Sequence, residues 1–480
     1  MVRNSKIFRL ITIISIAIYG IVMGWLFSYT NAKVPDEIWF YGIINDLQVS
    51  SLKEFILIEN YLGYGSLYWM ILYVLNTFSN IRVFCWLCLI SMPITLVLLI
   101  KKVFNREWVE SFAAIFLYLS CPINWFTGKI IGPEIISNAF GCVGLFLLMI
   151  GFDRIFGRSK ISQTKELCLI FGGGLIGIAS GIKLYNIVFA VFFVTYVILE
   201  VFFVSKETRE KLKKLMTIVL PFMFAFIIAF ILTNPIMVFD RQIYLENQVS
   251  GFELPTIDGI YQLIYKYNIT WDLVNSSGLN FLIVSVVSLI IIWGFAIVRK
   301  KNRNIAIAGI ASFVFLTLLF SISTSFQGWY YMPIVFIISI AIGGISTVDW
   351  IVLLMNLFLM LPNIYFQIDT KLMQVEVVEA YDNSVQAIID KYLRDYEGCE
   401  LIDFSSWQVP KDSNDETLWD YNITKKVNPQ IIIISSKVLK YADENNQVRA
   451  IANCTFDDCE LIYDDDIFRI IFYKPNLRMD

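Results

Sequence analysis

The 480-residue chain contains no histidine. Proton transfer and charge stabilisation must therefore fall to carboxylates, amines, guanidiniums and hydroxyls. Asp36 and Glu37 are adjacent in "NAKVPDEIWFYG", directly after the first long apolar run. Glu134 stands in "GKIIGPEIISN", Lys183 in "ASGIKLYN" and Arg241 in "NPIMVFDRQ", each at the edge of an apolar run. A carboxylate beside a membrane can take the proton of an attacking hydroxyl. An amine or guanidinium there can hold a phosphate group. Each residue also has a plainer explanation. Asp36 and Glu37 follow Pro35, and Glu134 follows Pro133, so all three suit the first turn of a helix. Lys183 can snorkel to an interface, and Arg241 can anchor a loop. Tyr64 in "YLGYGSLYW" and Tyr330 and Tyr331 in "QGWYYMPI" are candidate substrate contacts. The alternative for these tyrosines is an aromatic belt at the membrane surface.

The elements that must carry these residues are membrane spans. Hydrophobic residues make up 57% of the chain and charged residues only 16%, against about a quarter charged in soluble domains. The excess is gathered in runs of about 20 residues, the length that crosses a hydrocarbon core. The first, Phe8 to Ser28, exceeds a signal-peptide core and lacks a small-x-small cleavage site, so it reads as a retained span. Others fall near 84–100, 109–126, 135–152, 167–182, 184–204, 215–234, 279–298, 305–325, 329–345 and 347–364. Residues 66–78 are short and read as an interfacial or re-entrant helix, which leaves eleven spans. With a cytoplasmic N-terminus, nineteen basic residues sort to inner segments and seven to outer ones before residue 366. Asp36, Glu37, Tyr64, Glu134, Lys183, Arg241, Tyr330 and Tyr331 then share the outer face, within or beside large outer loops at 29–82 and 235–279.

Composition changes after residue 365. Residues 366–480 hold 12 basic and 22 acidic side chains. "CELIDFS", "PQIIIISS" and "FRIIFYKP" read as strands and Val375 to Tyr396 as a helix, which predicts a small extracytoplasmic α/β domain. Four consecutive isoleucines, Ile431 to Ile434, predict a strand buried on both faces. "CTFDDC" could close a short disulfide loop between Cys454 and Cys459. The "FGGGLIG" stretch lies inside a span and suits close helix packing. No Walker-type or dinucleotide glycine motif occurs. The fold expected is an all-α polytopic membrane domain over residues 1–365, followed by the α/β domain at 366–480.

The order of these motifs resembles the GT-C class of membrane glycosyltransferases, in particular its protein O-mannosyltransferase and aminoarabinose transferase branch. "VPDEIWFYG" is similar to the acidic signature after the first span, and "YLGYGSLYW" to the Gly/aromatic stretch closing the first outer loop. "GPEIISN" resembles the second acidic site, and "GIASGIKLYN" the Lys-bearing turn between consecutive spans. Two departures stand out: some relatives use a histidine in metal binding, and others carry an arginine where this chain has Gly328 and Trp329 before Tyr330. The resemblance implies an inverting transfer from a polyprenyl-phosphate-linked sugar to a hydroxyl of a glycan, lipid or protein acceptor, on the outer face of the cytoplasmic membrane. Asp36 would be the base, supported by Glu37. Glu134 or Glu37 would hold a divalent ion or steady the reacting centre. Lys183 and Arg241 would face the donor phosphate. No cofactor is specified; a metal, if used, would be Mg or Mn held through oxygens of Asp36 and Glu134. The competing reading is a transporter or flippase of a lipid-linked or small substrate. That reading expects repeated halves and mid-span charges, and neither is visible.

Overall fold

The computed structural model describes residues 2–28, 65–77, 81–121, 124, 132–155, 165–204, 208–239, 303–321, 332–344, 386–396, 399–404, 428–435, 453, 458–464 and 468–474. The helices in the first part are α1 (Val2–Ser28), α2 (Ser66–Thr77), α3 (Ile81–Leu98), α4 (Trp108–Ser120), α5 (Pro133–Ile155), α6 (Lys165–Ile182), α7 (Ile187–Val204), α8 (Thr208–Thr233), the single turn α9 (Ile236–Phe239), α10 (Arg303–Ser321) and α11 (Met332–Gly344). Among the described residues, five stretches are long and apolar enough to cross a membrane: Lys6–Leu26, Ile81–Val103, Pro133–Asp153, Leu184–Phe202 and Lys213–Thr233. The chain is a multi-pass membrane protein. The predicted spans at 279–298 and 347–364 lie outside the described residues. Twelve-residue α2 is about 18 Å long, too short to cross a core of about 30 Å.

Contacts between the helices set α1, α4, α6 and α8 in one direction and α3, α5 and α7 in the other, which sorts their ends into two poles. At one pole, Arg9 of α1 and Lys101 both stand over the Trp108 ring, 5.6 and 5.1 Å from its centroid. The other pole collects the end of α6, the end of α8 and the starts of α2, α5 and α7.

Glycines set how closely the helices approach. α6 lies between α5 and α8, its two most extensive neighbours. A Cβ on Gly173 would meet the Phe222 carbonyl oxygen of α8 at 2.5 Å, and one on Gly177 would strike the Phe226 carbonyl oxygen. On the α5 side, a Cβ on Gly172 would lie 2.8 Å from the Gly144 carbonyl oxygen. Backbone therefore packs on backbone on both sides of α6, as small residues permit between membrane helices. Gly177→Leu is expected to push α6 off α8 and abolish a monodisperse, detergent-stable protein, judged by size-exclusion chromatography and thermal melting. A stable, monodisperse Gly177→Leu protein would show that this contact is dispensable.

The chain divides into two compact units, and the described elements from Gln386 onward belong to the second. This unit has helix α12 (Gln386–Asp395) and strands β1 (Glu400–Phe404), β2 (Gln430–Ser435), β3 (Cys459–Asp464) and β4 (Phe468–Tyr473). Sheet order is β1-β2-β4-β3, with β1 and β2 parallel and the other pairs antiparallel. Ile431 to Ile434 are all fully buried. Ile431 and Ile433 join Ile389 of α12, Ile470 and Phe472 in one apolar cluster. The expectation of a helix over Val375 to Tyr396 is met by α12 in its second half; residues 375–385 lie outside the described ones. Strand β3 was not foreseen, because "CELIYD" carries two charges in six residues. Among the described residues it pairs only with β4, and its Glu460, Leu461 and Asp464 are exposed. The proposed bridge partner Cys454 lies outside the described residues. Burial, and then the adjacent Glu400, push the Cys399 thiol upward, which disfavours the reactive thiolate.

Candidate active site

Glu134 is the second residue of α5, directly after Pro133. Proline supplies the φ of a first helical turn and lacks the N–H that would go unpaired there. A carboxylate at that point also faces the positive end of the helix dipole. The Nδ2 of Asn138, one turn on, donates to the Glu134 carbonyl at 2.7 Å, and Ser137 Oγ donates to the same oxygen at 3.3 Å. Gly132 lies beside Glu134 Oε2, where a Cβ would sit at 2.6 Å.

Lys183 occupies the break between α6 and α7. Its backbone is extended, at φ −141° and ψ 112°, and a single 3-10 turn (Leu184–Asn186) connects it to α7. Its ammonium Nζ stands 3.2 Å from Glu134 Oε1, and the two side chains are only 12% and 15% exposed. Two of the residues singled out by type and position, 49 apart in sequence, are thus one ion pair. They come from the N-terminus of one helix and the C-terminal exit of its packed neighbour.

The surroundings are polar but well buried. Ser180, Asn186, Thr233 and Asn234 are all nearly inaccessible. Gly65, at the entrance of α2, comes so close that a Cβ would lie 2.6 Å from the Thr233 carbonyl oxygen and 3.0 Å from that of Gly181. The start of α2, the end of α6 and the end of α8 therefore meet where Lys183 emerges. None of the asparagines was singled out from sequence. The available signal was an amide at the edge of an apolar run in each of "GPEIISN", "GIKLYN" and "ILTNP".

Asp36, Glu37, Tyr64, Arg241, Tyr330 and Tyr331 lie outside the described residues. Among the described residues, no cluster of three or more Asp, Glu or Cys side chains forms a metal cage. Glu134 Oε1 already faces an ammonium, and a like charge beside that oxygen disfavours a divalent cation. The described part of the site thus offers one negative and one positive group side by side.

No family model matches the chain, and no curated protein matches it by sequence. Its fold has solved counterparts. A crystal structure of ArnT from Cupriavidus metallidurans in the apo state aligns with a TM-score of 0.54, and one of the same protein bound to undecaprenyl phosphate with 0.52. Each alignment covers 96% of this chain and 97% of the other at 10% identity. The chain thus shares the overall fold of ArnT, an aminoarabinose transferase of the GT-C fold.

Proposed function

We propose that the protein is an inverting glycosyltransferase that moves a sugar from a polyprenyl-phosphate-linked donor to an acceptor hydroxyl on the outer face of the cytoplasmic membrane. The observation that carries this reading is the largely buried Glu134–Lys183 pair, set at the pole of a fold shared with ArnT over 96% of the chain. The leaving group of such a donor is a phosphate anion, which needs cations rather than a proton. Lys183 supplies one cation and Arg241 a second. The attacking hydroxyl must lose a proton, and Asp36 is the base assigned to it, with Glu37 in support. Glu134 holds the Lys183 amine in place and balances its charge until the phosphate arrives. Tyr64, Tyr330 and Tyr331 are assigned to substrate contact. If Mg or Mn takes part, Asp36 is the residue to hold it.

Two measurements test this. Cells lacking the protein should lose one sugar from a surface glycan, lipid or protein, and should accumulate the corresponding lipid-linked donor. Loss of the sugar without a transferase activity in the purified protein would favour a flippase. The outer placement of the second unit has its own check. An Asn414→Cys variant is expected to gain labelling by a membrane-impermeant thiol reagent in intact cells, above the wild-type background. Labelling gained only after lysis would reverse the topology and place Glu134 and Lys183 on the cytoplasmic side.

A further inference from the structure

The last four carbonyls of any α-helix have no partner within the helix. At the C-terminus of α6 two of them are satisfied by side chains from further along the chain. The Gly181 carbonyl accepts from Asn234 Nδ2 at 3.2 Å, and the same amide reaches the Phe230 carbonyl of α8 at 3.2 Å. The Ala179 carbonyl accepts from the Lys183 N–H at 3.0 Å and from Asn186 Nδ2 at 3.5 Å. Asn186 also closes on Lys183 itself. Its N–H donates to the Lys183 carbonyl at 3.0 Å and its Nδ2 to the same oxygen at 3.3 Å. The peptide groups before and after Lys183 are therefore both held, one by a residue of α6 and the other by Asn186, while Asn234 ties the turn to α8. Both asparagines are buried, at 0% and 5% exposure.

We infer that Asn186 and Asn234 are positioning residues, a two-amide clamp that fixes the Lys183 turn so that its ammonium reaches Glu134 and the donor phosphate. Buried apolar residues at these two positions would have served packing alone. Amides at the boundary of apolar runs cost desolvation and return it only through the carbonyls they hold. Asn186 leaves its Oδ1 without a hydrogen-bond partner, so the side chain is oriented by its donors rather than by satisfaction of the whole amide. The glycines make the clamp possible. A Cβ at Gly181 would fall 2.6 Å from Thr233 Cβ and 2.8 Å from Asn234 Nδ2, so any larger residue separates the amide from its carbonyl. The effect on the phosphate rests on the transferase reading above; the effect on the Lys183 amine does not.

The test uses full-length protein in lipid nanodiscs, at a temperature where every variant is folded by thermal melting. A water-soluble amine-acylating reagent is applied, and modification of Lys183 is followed by peptide mass spectrometry, with Lys213 and Lys214 as internal references. Asn186→Ala and Asn234→Ala are each expected to raise the Lys183 rate about three- to tenfold, the range of one lost hydrogen bond, with the references unchanged. Gly181→Ala, which keeps every polar group, is expected to act in the same direction. Melting temperatures lowered with the Lys183 rate unchanged in all variants that fold would make the amides ordinary structural residues and overturn the inference. A second readout uses the lipid-linked donor found in deletion cells. The clamp predicts a higher donor KM, with acceptor KM unchanged. Wild-type protein that turns over no donor, alongside a raised Lys183 rate in the variants, would remove the transferase reading and leave the clamp standing.

Discussion

Replacement of Asp36 by asparagine is expected to slow sugar transfer by roughly 10²–10⁴-fold, the usual loss when a general base is removed, while insertion and folding remain as in the wild type. The loss corresponds to about 3–5 kcal/mol of activation barrier. If Asp36 served only to start a helix behind Pro35, its removal would cost about 0.3–1 kcal/mol of stability and no chemistry. One substitution thus separates the two explanations, with initial rates read on the donor identified in deletion cells. Adjacent helical side chains diverge by about 100°, so Asp36 and Glu37 cannot both aim at one atom. Near-normal rates in Asp36→Asn with an inactive Glu37→Gln would transfer the base assignment to Glu37. Normal rates in both would leave the pair as a helix start.

The next largest effect is expected at the ion pair. Lys183→Ala should lower kcat/KM for the donor by about 10–150-fold, since a hydrogen bond to a charged group contributes roughly 1.5–3 kcal/mol. Glu134→Gln keeps the shape of the side chain and the Asn138 contact to its carbonyl, but leaves the Lys183 ammonium facing a neutral amide. Removing one partner of a fully buried pair costs about 3–5 kcal/mol of stability, and exposed pairs contribute under about 1 kcal/mol. With both side chains about one-eighth exposed, an intermediate loss of about 1–3 kcal/mol is expected. The double variant Glu134→Gln/Lys183→Met decides between roles. If the pair is purely structural, the double variant recovers both melting temperature and turnover. If Lys183 serves the phosphate, stability recovers and donor turnover stays as low as in Lys183→Ala.

The helices were legible from sequence because their signal is collective. Twenty apolar residues in a row leave few alternatives, and nine of the eleven expected spans coincide with described helices of at least thirteen residues. The pairing of Glu134 with Lys183 was not legible. Both residues were singled out, but each for its own position beside an apolar run. Their contact depends on the depth at which α6 docks against α5 and α8. That depth is set by glycines, whose stretch pointed to close packing without showing which neighbours it meets. Asn138, Asn186 and Asn234 were missed for a related reason. A single amide at the end of an apolar run looks like any interface residue until the carbonyl it serves is known. Strand β3 was missed because its residues do not alternate: a bulge between Leu461 and Tyr463 breaks the two-residue period and leaves Glu460 and Leu461 both exposed.

The docking of α6 also bears on how the protein meets membranes of different thickness. A span whose hydrophobic length does not match the bilayer adjusts by tilting, kinking or deforming the lipid. An isolated helix could in addition slide along its neighbours. α6 has no such freedom between Gly173 and Gly181, because its backbone is seated against carbonyl oxygens or side chains of α5 and α8 over more than two turns. Mismatch must therefore be absorbed by the three helices leaning together, like staves fixed at their seams. The gap between Glu134 and Lys183 spans the seam between α5 and the end of α6. The pair consequently keeps its spacing whether the surrounding acyl chains are short or long, and turnover of a donor in nanodiscs of differing chain length would show the protein's tolerance directly.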